Sequence, residues 1–404
     1  MTAAFKIANA LAGQGSSSLT LTQTVTPPPY LRGTGVTGSG PNEGGAPDYS
    51  RTGVNGETFD TFGCQVFNYD PGPPTPDWQT TPNPVYFERD VFTNGVMTMP
   101  DGFQLEYWGF EDTLRRKGAR VLPSPVIRLK EGQLAHVKLK TSKGPHTIHH
   151  HGIEPTTMND GVGHVSFETS SDYTYQFLAR HAGTWFYHCH RNTVLHFKMG
   201  LYGLLIVDPP EAFPQNKPIG VPYRGGSKHS YDVEAFWVAD DRDPIWQGRN
   251  HAAGLCGEDE GFNIWKPKYF FLTGVHKNFT QTSTAVRVRA SRGLKQRVLI
   301  RLLNGAYSML KVKINGIPVE CISMDGHAMD PATRPWCRPY GYAAGEAFLL
   351  PTAQRMELWF SAANLAPGLY PVDFEYLDWV TGKPHNHGAA MHRGTARTFI
   401  EITA

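Results

Sequence analysis

The stretch GTWFYHCHRNTVLHFKMGLYG, residues 183–203, decides the fold expected of this chain. It joins an aromatic run to a histidine–cysteine–histidine triplet, and the apolar run at 200–207 predicts a buried strand. The aromatic residues at 185–187 alternate beside the triplet and are predicted to lie in a core. An earlier run, VIRLKEGQLAHVKLK at 126–140, alternates between turn signals, which is typical of a small β-sandwich.

The chain divides at a proline-rich passage, DPPEAFPQNKPIGVP, after which a second series of short strands begins. We therefore predict an all-β protein with one β-sandwich domain at 84–212 and another at 213–404. Residues 1–83 are predicted to form an extended N-terminal arm, because much of this region is rich in Gly, Ser, Thr, Pro and Asn. The aromatic segment HSYDVEAFWVADDRDPIW at 229–246 is predicted to pack the second domain.

The balance of charges argues against several kinds of partner. The 404 residues carry 38 Lys and Arg against 36 Asp and Glu, so the net charge of +2 gives no electrostatic reason to expect nucleic acid or an acidic membrane surface. No stretch reaches the roughly 18 consecutive apolar residues of a membrane span. The opening residues do not read as a secretory signal, so localisation has to be inferred from chemistry.

Histidines are concentrated in two short segments, HTIHHHG at 146–152 and HCHRNTVLH at 188–196. Imidazole together with a thiolate suits copper or zinc, whereas the scarcity of carboxylates argues against calcium and magnesium. Because alternate residues of a strand point to opposite faces, strand parity predicts two metal sites lying back to back. The "cysteine site" consists of Cys189, His146 and His196, and the "histidine site" consists of His149, His151, His188 and His190.

The cysteine site has the composition of a blue-copper electron-transfer centre, which uses a Cys/His/His set and a weak fourth ligand. Leu201, five residues after the last of these histidines, is the candidate for that axial position, with Met199 nearby but out of phase. An axial position without a ligand raises the copper potential by disfavouring Cu(II). Because Cys189 is adjacent to His188 and His190, the chain also offers a covalent route for electrons between the two sites.

At these residues the sequence resembles the multicopper oxidases, specifically the two-domain cupredoxin members with blue copper in the first domain. The motifs are HTIHHHG, NDGV at 159–162, AGTWFYHCH and HFKMGLYG, and the likeness covers about 84–404. The resemblance implies two Greek-key cupredoxin domains, type 1 copper at the cysteine site with Leu201 in the axial place, and type 2 and type 3 copper at the histidine site. It also implies a homotrimer in which a neighbour's second domain closes the cluster where oxygen is reduced to water.

The two halves of the chain resemble copies of one unit, but the second copy lacks the metal ligands. Residues 145–153 superpose on 309–317, and residues 183–190 superpose on 368–375. In this register the ligand positions of the second copy are occupied by Leu310, Lys313, Asn315, Asp373, Phe374 and Glu375. The full cluster of the family takes eight histidines, so its second half is missing from the expected place.

Two explanations of this loss stay open. The tail motif HNHGAAMH could supply replacements, namely His385, His387 and His392. Otherwise the histidine site holds one or two coppers, and Asp373 and Glu375 of a neighbour act as proton donors or are simply solvated. His164 and His181 lie outside the matched positions and are predicted to lie on the surface or beside the ligands.

Three functions follow from this pattern. The first is a laccase-like oxidoreductase, in which a phenol, an aromatic amine or a metal ion such as Fe(II) or Cu(I) is oxidised and O2 is reduced. The second is an enzyme like the copper nitrite reductases, although the acidic residue expected between the histidines of HTIHHH is absent. The third is a blue-copper electron carrier or copper-binding protein, and zinc is the alternative metal.

The remaining cysteines leave one further alternative. Besides Cys189 there are four, namely Cys64, Cys256, Cys321 and Cys337, which form up to two disulfides or stay buried thiols. Copper chemistry favours the periplasm or the extracellular space, where disulfides are permitted.

Overall fold

The computed structural model describes residues 66–67, 85–115, 117–153, 155–163, 168–211, 220–255, 258–332 and 334–404. Over these ranges the chain consists of β-strands joined by loops and a few short helical turns, which confirms the all-β prediction. The predicted arm, apart from residues 66–67, lies outside the described residues, as do Cys64, His164 and Cys256. Among the helices in these ranges, none is long and apolar enough to span a bilayer.

The first half of the chain forms two four-stranded sheets. Its strands are β1 (Val66–Phe67), β2 (Val85–Thr98), β3 (Gln104–Glu111), β4 (Ser124–Lys130), β5 (Leu134–Lys140), β6 (His149–His151), β7 (Glu168–Thr169), β8 (Tyr173–Leu178), β9 (Gly183–His188) and β10 (Tyr202–Asp208). Its helices are α1 (Thr157–Asp160) and α2 (Thr193–Met199). One sheet has the order β4-β10-β9-β6 and the other β3-β2-β5-β8, while β1 pairs with β7. Every residue of β9 and β10 is buried, so the predicted buried strand is confirmed.

The second half forms a larger pair of sheets. Its strands are β11 (Val233–Arg242), β12 (Tyr269–Leu272), β13 (Val275–His276), β14 (Val288–Ser291), β15 (Arg297–Asn304), β16 (Met309–Ile314), β17 (Val319–Met324), β18 (His327–Ala328), β19 (Tyr340–Tyr342), β20 (Ala347–Leu350), β21 (Arg355–Ser361), β22 (Gly368–Leu377) and β23 (Thr395–Thr403). One sheet runs β13-β12-β11-β15-β21-β17-β18 with β19 on β17, and the other runs β14-β23-β22-β16-β20. The described strands therefore pair within their own half, while the exact domain boundaries stay a prediction.

The strand register agrees with the proposed internal repeat. In the first half His149 of β6 lies opposite His188 of β9, and in the second half Lys313 of β16 lies opposite Asp373 of β22. These are the pairs that the superposition of the two sequences equates. Strand β16 alternates between buried apolar and exposed or half-buried residues, so the side chain of Lys313 is exposed at this position.

The core agrees with the aromatic pattern except at one residue. Trp185, Phe186 and Tyr187 are buried, as predicted. Trp237 lies in the core of the second half, as predicted for the segment 229–246. Trp246, at the end of that segment, packs instead into the core of the first half, because the chain crosses over after β11.

Candidate metal centres

Cys189, His146 and His196 come together in the interior of the first half. Cys189 Sγ lies 3.5 Å from His146 Nδ1 and 3.3 Å from His196 Nδ1, and all three side chains are fully buried. Ligands bound about 2.0–2.3 Å from one metal ion lie about 3–4 Å from one another. The three donor atoms therefore have the spacing of ligands around a single ion.

Short backbone contacts hold these three residues in place. Cys189 follows the end of β9, and its N–H donates to the carbonyl of Leu201 at 3.0 Å. The N–H of Leu201 in turn donates to the carbonyl of His196, which lies on α2. His146 forms an isolated bridge with Thr169. The loop from β9 through α2 to β10 is thus closed by hydrogen bonds on both sides of the cysteine site.

Leu201 and Met199 have different surroundings. Leu201 is fully buried in the apolar core around the cysteine site. Met199 Sδ accepts a hydrogen bond from Gln247 Nε2 at 3.8 Å. The sulfur of Met199 is therefore hydrogen-bonded to a residue of the second half. The axial role of Leu201 stays a prediction.

Burial controls the protonation of the cysteine site. It raises the pKa of the Cys189 thiol to about 11 and lowers the pKa values of His146 and His196 well below 6.5. The imidazoles are therefore neutral, with a lone pair available for a metal. A thiol that coordinates a metal ion loses its proton outright. Cys189 is therefore a neutral thiol in the metal-free protein and becomes a thiolate when a cation is bound. This donor set fits copper.

The four residues of the histidine site also converge. Ligand atoms of His149, His151 and His188 lie within 4.8 Å of one another, and His151 Nδ1 is 3.3 Å from His188 Nε2. The ring of His190 is centred 5.2 Å from that of His149 and 5.5 Å from that of His188. Parity thus predicted correctly which imidazoles share a face. Their roles as ligands stay a prediction.

Two hydrogen bonds orient the histidine site. His149 Nδ1–H donates to the carbonyl of Asp160 at 2.7 Å, and His188 Nδ1–H donates to the carbonyl of Cys189 at 3.0 Å. Both bonds leave the Nε2 lone pair free for a metal, as the outer hydrogen bonds of ligating histidines do. Asp160 also brings a carboxylate oxygen to 3.4 Å from His149 Nδ1. Asp160 is not among the predicted site residues, although it lies in the motif NDGV at 159–162.

The histidine site opens onto a cleft of about 580 Å³ between the two halves of the chain. Its walls include Arg180 and His181 from the first half and Asp325, His327 and Arg355 from the second. His181 is exposed, in agreement with its predicted surface position. Burial, together with the nearby charge of Arg355, lowers the pKa of His151 to about 3.

Two of the three tail histidines contact residues outside the histidine site. His385 Nε2 is 2.9 Å from Ser308 Oγ, and His392 Nε2 is 3.1 Å from Asp101 Oδ2. In the described part of the chain, groups of three or more clustered ligands occur only at the cysteine site and at His149, His151 and His188. The tail motif therefore does not complete the histidine site within one chain.

Two of the second-half residues that stand at the predicted ligand positions, Asp373 and Glu375, form ion pairs. Asp373 pairs with Arg397 at 2.6 Å and accepts a hydrogen bond from Asn315 at 2.9 Å. Glu375 pairs with Lys311 at 3.0 Å. Both carboxylates are only partly buried, which favours the solvated alternative over a proton-donating one in the isolated chain.

Cys321 and Cys337 are free thiols, so neither forms one of the disulfides left open by the sequence. Cys321 is buried and burial raises its pKa to about 11.

Comparison with known proteins agrees with this geometry. Residues 119–212 match the family model described as multicopper oxidase. Copper resistance protein A of Escherichia coli is 39% identical over 97 residues, which are 23% of this chain and 16% of that protein. The copper-containing nitrite reductase of Neisseria meningitidis serogroup B is 30% identical over 124 residues, which are 30% of this chain and 29% of that protein. The matches thus span less than a third of these relatives.

Among solved structures, the blue copper oxidase from Nitrosomonas europaea superposes with a TM-score of 0.57 at 21% identity. The superposition covers 79% of this chain and 86% of that one. This likeness confirms the cupredoxin-like β-sandwich fold.

Proposed function

We propose that this protein is a copper-dependent, laccase-like oxidoreductase that couples one-electron oxidation of a donor to reduction of O2, since residues 119–212 match the multicopper oxidase family model. One observation carries the proposal. The thiol of Cys189 belongs to one buried site, while the residues on either side of it, His188 and His190, belong to the other. The cysteine site, which would accept single electrons from the donor, is thereby joined to the histidine site, which would pass them to O2, through the peptide bonds on either side of Cys189.

The residues fit copper at both places. His146, Cys189 and His196, with Leu201 in the axial place, would hold type 1 copper, and the histidine site would hold one or two further coppers. Copper bound there would supply one-electron oxidation of the donor at the cysteine site and reduction of O2 at the histidine site.

The chain itself contributes orientation, exclusion of water and a connection. Full burial keeps water away from Cys189 and from the metal-facing edges of its two histidines. Asp160 fixes the ring of His149 through its carbonyl, and its carboxylate oxygen lies 3.4 Å from Nδ1 of the same imidazole. The ring of His188 is hydrogen-bonded to the carbonyl of Cys189, which couples the two sites through a second path besides the backbone.

The proposal extends to partners and location. The partners are O2 and a small-molecule or metal-ion donor. We propose a homotrimer in the periplasm or outside the cell, supported by the resemblance of the sequence and by a histidine site that faces an open cleft. Sedimentation equilibrium of the purified protein tests the trimer, and a monomer at micromolar concentration would contradict it.

A copper nitrite reductase-like activity is the second candidate. It is supported by the nitrite reductase match and by the carboxylate of Asp160 beside His149. It is also supported by the number of histidines, since the histidine site has four and the family's full cluster takes eight. A single catalytic copper needs no more imidazoles than the histidine site offers.

Oxygen consumption by the copper-loaded protein with hydroquinone tests the leading proposal. We expect turnover in the wild type, and loss of turnover with retained blue absorption in His188→Ala. His181→Ala, a histidine at the rim of the cleft, is the matched control and should retain both. Nitric oxide release from nitrite without oxygen consumption would favour the second candidate, and a blue protein with neither activity would indicate an electron carrier.

A further inference from the structure

A segment of the second half lies directly over the cysteine site. Residues 246–255, here called the cap, follow β11 and a short helical turn. Trp246 and Ala253 of the cap are buried in the core of the first half rather than in their own. The cap is therefore packed in place as part of the wall of the cysteine site.

The side chain of Asn192 ties the cap to the loop that carries the metal ligands. Its Nδ2 donates to the carbonyl of His251 at 3.3 Å and to the carbonyl of Ala253 at 2.9 Å. Asn192 immediately precedes α2, which carries His196, and has a φ of 41°, a conformation that Asn tolerates better than most residues. The position of the cap is thus set by the same turn that positions a ligand.

His251 covers the outer edges of both imidazoles of the cysteine site. His251 Nε2 is 3.2 Å from His146 Nε2, and the His251 carbonyl accepts a hydrogen bond from His196 Nε2–H at 3.0 Å. The Nδ1 atoms of His146 and His196 face the thiol, so Nε2 is the remaining polar atom of each ring. One residue therefore occupies the outer edge of both.

Two sides of the His251 ring are covered by neighbouring residues of the first half. Trp108 stacks on its ring at 6.1 Å, and Trp108 also meets the ring of His196 edge-on at 5.3 Å. On another side the ring lies over Gly144, where a Cβ would come within 3.4 Å. His146 and His196 are fully buried, whereas His251 is half-buried and its neighbour Ala252 is exposed. A molecule approaching the site from solvent meets His251 before either histidine.

We propose that His251 is the donor-contacting residue of the cysteine site and that the cap selects electron donors by size. This inference rests on the proposed function only in requiring copper at the cysteine site. A hydroquinone would lose one electron to Cu(II), which becomes Cu(I), and the phenolic proton would pass to water. Donors with a bulky substituent react more slowly, because they approach His251 poorly and the cap prevents direct contact with His146 or His196.

His251→Ala isolates the contribution of the side chain. The carbonyl of residue 251 survives any substitution, so the hydrogen bond to His196 is kept while the edge of His146 is uncovered. His251→Gln retains a side chain that covers this edge and serves if the alanine variant folds poorly. Ala252→Ser, at the exposed neighbouring position in the same segment, is the matched control.

A first measurement needs no metal. The metal-free protein is treated with diethylpyrocarbonate, which acylates accessible neutral imidazoles, and the modified histidines are mapped by mass spectrometry. We expect modification of His251 but not of His146 in the wild type and in Ala252→Ser, and modification of His146 in His251→Ala. Modification of His146 in the wild type, or its continued protection in His251→Ala, would overturn the proposal.

A second measurement follows the loss of blue absorption in the copper-loaded protein, mixed without oxygen with hydroquinone or with tert-butylhydroquinone. These donors share the same reacting group and differ in one bulky substituent. In the wild type we expect the smaller donor to react about tenfold faster, since a pocket contact of this size discriminates by about that factor. The ratio should fall towards one in His251→Ala and stay high in His251→Gln and Ala252→Ser.

The second measurement separates this proposal from the proposed function, because no oxygen is involved. An equal ratio in the wild type and in His251→Ala would refute the role of His251 even if oxygen turnover is observed. A ratio that changes as expected in a protein that consumes no oxygen would uphold His251 and reject the oxidase function.

Discussion

Gly161 allows a close backbone contact beside the histidine site. It ends α1 with a φ of 72°, and a Cβ added there would lie 1.9 Å from the carbonyl oxygen of Ile148, at the start of β6. The close approach brings Asp160 to His149. A side chain at this position would push apart the two segments that hold the first histidine of the site.

Gly161→Ala is expected to destabilise the fold by about 2–4 kcal/mol, from a left-handed backbone conformation and a clash with main chain. It should also reduce the copper bound per chain, because His149 loses its orienting contact. Gly102→Ala is the matched control, since Gly102 has a φ of 84° and nothing within 4 Å of an added Cβ. Chemical denaturation and metal analysis are the measurements, and equal effects of the two substitutions would contradict the prediction.

Helix α2 presents His196 to the cysteine site and is anchored in the same last turn by the buried charge of Lys198. Lys198 Nζ lies 2.8 Å from carboxylate oxygens of both Asp240 and Asp241 on β11, and donates to the carbonyl of Gly305 at 3.0 Å. All three charged side chains are buried. The anchor joins the ligand-bearing helix to the second half.

Lys198→Met is expected to cost about 3–5 kcal/mol of unfolding free energy, because it leaves two buried carboxylates without their shared cation. Lys311→Met provides the comparison, since Lys311 and its partner Glu375 are both partly exposed and such pairs contribute about 1 kcal/mol or less. Urea unfolding of both variants measures the difference. A loss no larger in Lys198→Met than in Lys311→Met would rule out the anchoring role.

At the scale of the whole molecule, a buried ionic cluster of the second half is hydrogen-bonded to β9 of the first half. Arg301 on β15 donates to Glu357 at 2.6 Å, to Glu234 at 2.7 Å and to Thr184 at 3.0 Å. Thr184 belongs to β9, the strand that ends in His188. The orientation of the histidine site relative to the second half therefore depends on this contact.

Arg301→Met is expected to lower the unfolding free energy by about 3–5 kcal/mol, because the buried Glu357 loses the cation it pairs with, whereas Glu234 keeps its ion pair with Arg128. Arg289→Met removes a mostly exposed arginine whose nearest carboxylate, on Glu401, is 3.5 Å away, and should change stability by less than about 1 kcal/mol. Differential scanning calorimetry compares the two. Identical melting temperatures for both variants would show that the contact does not stabilise the molecule.

Stability is also expected to fall in mild acid. Burial lowers the pKa of His276 to about 4, with Lys277 and His392 lowering it further and Asp101 opposing them. Since the folded pKa lies below the unfolded value of about 6.5, the neutral ring stabilises the fold above pH 6.5, and this contribution is lost as the pH falls towards 4. The slope for one such group is about 1.4 kcal/mol per pH unit at most.

His276→Gln cannot titrate and should therefore lose about 1 kcal/mol less than the wild type between pH 7 and pH 5. Urea unfolding at the two pH values gives the comparison, with the exposed His181→Gln as control. An unchanged pH dependence in His276→Gln would mean that this ring is not held neutral by folding.

The sequence by itself determined the fold class and which residues of the two predicted metal sites lie on the same face. Parity sufficed for His149, His151, His188 and Cys189, because side chains alternate along a strand whatever the strand packs against. In the second half Lys313 and Asp373 pair in the register that the sequence superposition predicts.

Only the tertiary structure decided what surrounds these groups. His251 covers His146 from 105 residues further along the chain, and Trp246 packs into the core of the other half. Such contacts form when elements distant in the chain pack together. They produce no periodic pattern in the local sequence. The carbonyl of Asp160, which fixes the ring of His149, acts as a backbone group, so side-chain identity could not reveal it. The sequence thus determined which residues face one another across neighbouring strands, and tertiary packing decided how those residues are oriented, shielded and approached.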